Sequence, residues 1–160
     1  MKKHTITTHL NVYDDRTAVP LPIQQLIQKA EEAAIQAYAP YSNFKVGAAV
    51  RTISGEIFTG NNQENAAYPS GLCAERVVLF HLFAMQPQAV ITDLVVTAIA
   101  PDKPLLDPVP PCGSCRQVIA ECESRQGSPM NIWFTGETGK VAQVASIKDL
   151  LPLIFDASYL

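Results

Sequence analysis

The chain has 160 residues, 48% of them apolar and 17% charged, with a net charge of −3. That is enough apolar chain to bury the core of one domain. Without a basic run, a polyanionic partner such as nucleic acid is not expected. No stretch nears the roughly eighteen apolar residues of a membrane span, and Met1-Lys2-Lys3-His4-Thr5 leads into no apolar segment, so a signal peptide is not expected either. Four cysteines, two of them in a C-x-x-C, point to reduced thiols holding a metal in the cytoplasm rather than to disulfides.

Residues 4–13 alternate loosely, with Ile6, Thr8, Leu10 and Val12 on one side, which fits a short strand or an extended arm. From Pro22 to Tyr38 apolar residues recur at helical spacing, with Pro22 near the first turn and Pro40 beyond the end. Lys45–Arg51 and Glu56–Gly60 read as a hairpin turned by Thr52-Ile53-Ser54-Gly55. A polar loop through Asn61–Asn65 and Pro69-Ser70-Gly71 leads to Cys73.

Ala74–Met85 is predicted as a helix with Ala74, Val77, Val78, His81, Leu82 and Met85 along one face and Leu79, Phe80 and Phe83 on the other. A helix apolar all round is buried or meets another subunit. Ile91–Ala100 suits a strand covered on both faces. Five prolines between Pro101 and Pro111 keep the next loop extended. Cys115–Arg125 reads as a helix stopped by Gly127, followed by strands at Asn131–Thr135 and Val141–Ser146 and a turn at Asp149-Leu150-Leu151. The order predicts a three-layer α/β/α domain with a mixed sheet of about five strands. Residues 1–21 form an N-terminal extension, as an arm or edge strand, to a catalytic domain at 22–160.

The chemistry concentrates in Cys73-Ala74-Glu75 and Pro111-Cys112-Gly113-Ser114-Cys115. Three thiols can hold one zinc ion and leave a fourth position for water, the arrangement of a catalytic site. Each thiol sits at or beside a predicted helix start, where free N–H groups stabilise thiolate. Three thiolates and Zn²⁺ sum to a negative charge, which Arg76 can offset by hydrogen bonding to sulfur. A structural zinc site needs a fourth ligand, and Cys122 lies roughly 10 Å further along the helix than Cys115. It is expected to pack in the core, and His81, two turns beyond Cys73, to be a core or interface residue. A redox dithiol remains the other alternative, and would leave Glu75 and Cys73 unexplained.

Phe44-Lys45-Val46-Gly47-Ala48-Ala49, Asn62-Gln63-Glu64-Asn65-Ala66-Ala67-Tyr68-Pro69, Cys73-Ala74-Glu75-Arg76 and Pro111-Cys112-Gly113-Ser114-Cys115-Arg116-Gln117, in this order, resemble the cytidine deaminases. The small, homotetrameric, three-cysteine type is the nearest, and the likeness runs from about Pro22 to Phe155. The resemblance implies zinc on Cys73, Cys112 and Cys115, with zinc hydroxide attacking C4 of cytidine or 2′-deoxycytidine and Glu75 shuttling protons. It implies Phe44 against the base, Asn62 and Glu64 on the ribose 3′-hydroxyl, and the Ala74 N–H on the base O2. Ala66, Tyr68 and Phe155 would complete a neighbouring subunit's pocket. It also implies a role in pyrimidine salvage. The chain departs from the family in its first twenty or so residues, in Asn61, where many relatives have cysteine, and in a longer proline-rich loop before Cys112.

Overall fold

The computed structural model describes all 160 residues. Its strands are β1 (Asn11–Tyr13), β2 (Lys45–Thr52), β3 (Ile57–Asn61), β4 (Ile91–Ile99), β5 (Asn131–Thr135) and β6 (Val141–Val144). Its helices are α1 (Leu21–Ile35), α2 (Ala74–Met85) and α3 (Gly113–Gln126). One sheet takes every strand in the order β1-β6-β5-β4-β2-β3. β4 and β5 run parallel, so they need the long crossover that α3 supplies. The other neighbouring pairs are antiparallel, and the sheet is mixed as expected.

Alternation along the strands builds the layers. Ala49, Val95, Trp133 and Val141 face one way and pack with Ile23, Leu26, Ile27 and Ala30 of α1. Ala48, Val50, Leu94, Val96, Ile132, Phe134 and Ala142 face the other way, beneath α2 and α3. The architecture is therefore α/β/α.

The sheet has six strands rather than about five because the N-terminal segment joins it. Asn11–Tyr13 pairs with Val141–Gln143 at the outer edge. Asn11 Nδ2 donates to Gln143 Oε1 at 2.6 Å, and the Tyr13 ring lies 5.8 Å from that of Trp133. Residues 1–10 form no regular element and are exposed.

Three helix readings change in detail. α1 stops at Ile35, short of Tyr38 and Pro40, because its last carbonyls find partners elsewhere. Asn61 Nδ2 donates to Ala33 O at 2.9 Å and Lys45 Nζ to Ile35 O at 3.0 Å, satisfying groups the helix leaves unpaired. α2 has the predicted ends, but its buried face is Ala74, Val78, Leu79, Leu82 and Phe83. His81, Phe80 and Met85 are exposed, so His81 is not a core residue. α3 begins at Gly113, two residues before Cys115, and stops where Gly127 takes a left-handed φ of 68°. A 3-10 turn at Ile147–Asp149 replaces the turn expected at 149–151.

Candidate metal centre and cleft

Two helix starts converge at the end of the central strands. Cys73 and Cys112 are the N-cap residues of α2 and α3, both with extended backbone, and neither spends its side chain on capping. Cys115 lies in the first turn of α3 and is fully buried. The first turn of α2 is pressed against β3 at Gly60, where a Cβ would lie 2.7 Å from Val78 N and 3.0 Å from Ala74 O. Only a residue without a side chain lets α2 approach so closely.

The Sγ atoms of Cys73, Cys112 and Cys115 all lie within 4.8 Å of one another. Tetrahedral zinc with Zn–S bonds of about 2.3 Å separates its sulfurs by about 3.8 Å. Cys73 Sγ is 3.8 Å from Cys112 Sγ, so the thiols present fit zinc. Cys122 is buried in the core beneath α2 and α3 instead, where burial pushes its thiol up to about 12. Among the three clustered thiols, a hydrogen bond from Cys115 lowers Cys73 to about 5, with further help from Arg76 and Cys112. That same bond, with burial and the nearby Glu75, pushes Cys115 up. Arg76 donates from a terminal guanidinium nitrogen to Cys73 Sγ at 3.8 Å.

Glu75 follows Cys73 by two residues on α2 and is 3% exposed. Its Oε2 has no hydrogen-bond partner. Buried polar atoms are nearly always paired, so an orphan facing a cleft marks a place for a ligand. Burial raises the Glu75 carboxyl above its ordinary value, and the charge on Cys73 adds to the rise.

Glu75, Arg76, Cys73 and Cys112 line a cleft of about 660 Å³ together with Phe44, Asn62, Glu64 and Tyr68. Cys115 lies behind this lining. Asn62 Oδ1 accepts from Val46 N at 2.7 Å and its Nδ2 donates to Phe44 O at 2.9 Å, so its amide fixes the start of β2. Glu64 accepts from Tyr41 N at 2.8 Å, from Ser42 N at 3.4 Å and from Ser42 Oγ. The Ser42 hydroxyl and the Tyr41 amide hold its carboxyl below the usual range. Asn43, between Ser42 and Phe44, takes φ 53°, a left-handed conformation that asparagine tolerates. Ala74 is buried at the first position of α2, where helical N–H groups lack intrahelical partners. Ala66 and Phe155 lie outside this cleft, on the exposed surface, and Phe155 stacks on Tyr159 at 5.7 Å.

Several lining or supporting residues escaped the sequence reading. Val109 and Pro110 of the proline-rich loop form part of the cleft wall, as does Ser114. Arg116 Nε donates to Pro111 O at 2.8 Å and Nη1 to Leu150 O at 2.9 Å, tying the approach to Cys112 to the C-terminal segment. Gln117 Nε2 donates to Phe155 O at 2.8 Å. Only their place inside the C-x-x-C-R-Q run hinted at this.

The zinc-binding region of cytidine and deoxycytidylate deaminases matches residues 22–127, a span that includes all three thiols and Glu75 and omits β1. Over 135 residues the chain is 38% identical to the cytidine deaminase of Halalkalibacterium halodurans, covering 84% of this chain and 94% of that protein. The crystal structure of cytidine deaminase from Burkholderia pseudomallei superposes with a TM-score of 0.72 at 39% identity, covering 82% of this chain and 97% of that one. That of cytidine deaminase from Mycobacterium tuberculosis gives 0.64 at 30% identity, with 86% and 99% covered.

Proposed function

The chain belongs to the cytidine and deoxycytidylate deaminase family, and we propose that it hydrolyses cytidine and 2′-deoxycytidine to uridine and 2′-deoxyuridine with release of ammonia. The observation that carries this reading is the buried, unpartnered oxygen of Glu75 beside three converging thiols. The cleft falls within the roughly 300–1,000 Å³ of small-molecule sites.

Cys73, Cys112 and Cys115 would hold zinc, which when bound acidifies water and so supplies a nucleophile near neutral pH. Glu75 takes one proton from the attacking water and gives it to N3 of the pyrimidine. It then takes the remaining proton of the new C4 hydroxyl and delivers it to the amine, which leaves as ammonia as the C4–N bond breaks and the C4 carbonyl forms. A carboxyl raised by burial suits this work, because it must hold a proton between the steps. Arg76 draws negative charge from Cys73 sulfur and so keeps the thiolate set from becoming too electron-rich.

Phe44 packs on the base, and the Ala74 N–H bonds its O2. Asn62 and Glu64 bind the ribose 3′-hydroxyl. A carboxylate has about four acceptor positions, and Glu64 spends three on residues 41 and 42, which leaves one for a ligand in the cleft it lines. Phe155 is 61% exposed and lies outside the cleft, which supports its completing, with Ala66, the pocket of a neighbour in a homotetramer. Tyr68, 80% exposed, lines this chain's own cleft and leaves enough surface to reach a neighbour's as well. No helix is long and apolar enough to cross a membrane. Four free cysteines support work in the cytoplasm, as a pyrimidine-salvage step.

A substrate panel tests the assignment. Cytidine and 2′-deoxycytidine should be turned over, whereas free cytosine should be a far poorer substrate. Equal turnover of base and nucleoside would remove the ribose-binding role of Asn62 and Glu64.

A further inference from the structure

The segment before residue 22 lies outside the family match, and loop 101–111 forms no regular element. The two are joined at Gly136. Arg16 Nη2 donates to Gly136 O at 2.8 Å, and Thr97 Oγ1 donates to the same oxygen at 3.1 Å. The Nη1 of Arg16 is ion-paired with Glu31 of α1, which neutralises the guanidinium and aims it. Charge-assisted bonds of this kind are among the stronger hydrogen bonds.

Gly136 opens the turn between β5 and β6, and that turn seats the loop. Thr138 N donates to Leu105 O at 3.2 Å and Lys140 N to Leu106 O at 3.3 Å. The fit is so close that a Cβ at Gly136 would stand 2.2 Å from Leu105 O. At its far end the loop is fixed by Arg116, through Pro111 O. Between these two anchors run Val109 and Pro110, which line the cleft. With no ladder or helix of its own, the loop takes its position from the anchors.

We propose that Arg16 is a positioning residue for the substrate wall: through Gly136 it seats the loop that carries Val109 and Pro110, and so sets substrate affinity without entering the chemistry at Glu75. The inference rests on the cleft being the nucleoside site. It gives the N-terminal extension a task in the reaction, performed some way from the metal centre.

The test uses Arg16→Gln and Thr97→Val in the full chain, each removing one donor to Gly136 O. Arg16→Gln is expected to raise KM for cytidine about threefold to tenfold, the worth of one hydrogen bond. Its kcat and zinc content should stay at wild-type levels. Amide exchange at Thr138 and Lys140 should quicken, because their protection depends on the seated loop. Thr97→Val should move KM and exchange in the same direction by less. Unchanged KM and unchanged exchange in Arg16→Gln, or a fall in kcat at constant KM, overturns the proposal. Should Arg16→Gln not fold, Thr97→Val decides by the same readouts. If wild-type protein does not convert cytidine, the proposed activity fails, while exchange at Thr138 and Lys140 still decides whether Arg16 seats the loop.

Discussion

Replacing Glu75 with Gln preserves the side chain's shape and removes its capacity to accept a proton, and burial makes the two consequences opposite in sign. Loss of a positioned acid–base group slows a reaction about 10²–10⁴-fold, equal to about 3–5 kcal/mol of barrier. Stability should move the other way. Glu75 is 3% exposed with one unpartnered oxygen, and its carboxyl is raised by burial. An unperturbed glutamate titrates near about 4.3. A carboxyl raised above that value in the folded state contributes fully below it and loses the contribution as pH climbs through the folded value. Metal-stripped Glu75→Gln should therefore melt higher than metal-stripped wild type at about pH 8, with the gap closing towards about pH 4. Cytidine turnover and thermal unfolding of both proteins across that range measure the two effects. Wild-type turnover by the variant would refute the proton role, and a variant less stable than wild type at about pH 8 would refute the burial argument.

Arg76→Gln removes the donor to Cys73 Sγ and should weaken zinc binding about 10–100-fold with a smaller effect on unfolding; a zinc-competition titration against a chelator checks this. Gly60→Ala forces a Cβ to within 2.7 Å of Val78 N, so it should cost about 1–3 kcal/mol of stability and loosen zinc by shifting the start of α2, read by chemical denaturation and metal retention. Light scattering should report a tetramer, and Phe155→Ala should raise KM for cytidine more than it lowers the melting temperature. A fully active monomer would remove the shared pocket.

The cluster of three thiols was legible because its signal is local. Two of its cysteines occupy helix N-cap positions with their thiols left free, and the third lies in the first turn of α3, so short spacings in the chain carry most of the geometry. Strand alternation likewise announced the layers. What the sequence hid is long-range. Asn62 stands in a polar loop in the sequence, yet its amide bonds Phe44 and Val46 at the start of the neighbouring strand β2. Arg16 and Gly136 are joined across 120 residues, and no spacing rule links them. Of the two places expected for His81, core or interface, its exposure removes the core, which the sequence could not do because α2 is apolar nearly all round and its periodicity does not say which side is covered. The early end of α1 depends on Asn61 and Lys45, two capping partners supplied by other elements.

The most direct test of the central claim follows cytidine for conversion to uridine and ammonia by protein as purified, after chelation, and after zinc is restored. Stoichiometric uridine and ammonia, lost on chelation and recovered with zinc, is the predicted result. Zinc-loaded protein that binds the metal on Cys73, Cys112 and Cys115 and leaves cytidine unchanged would contradict it.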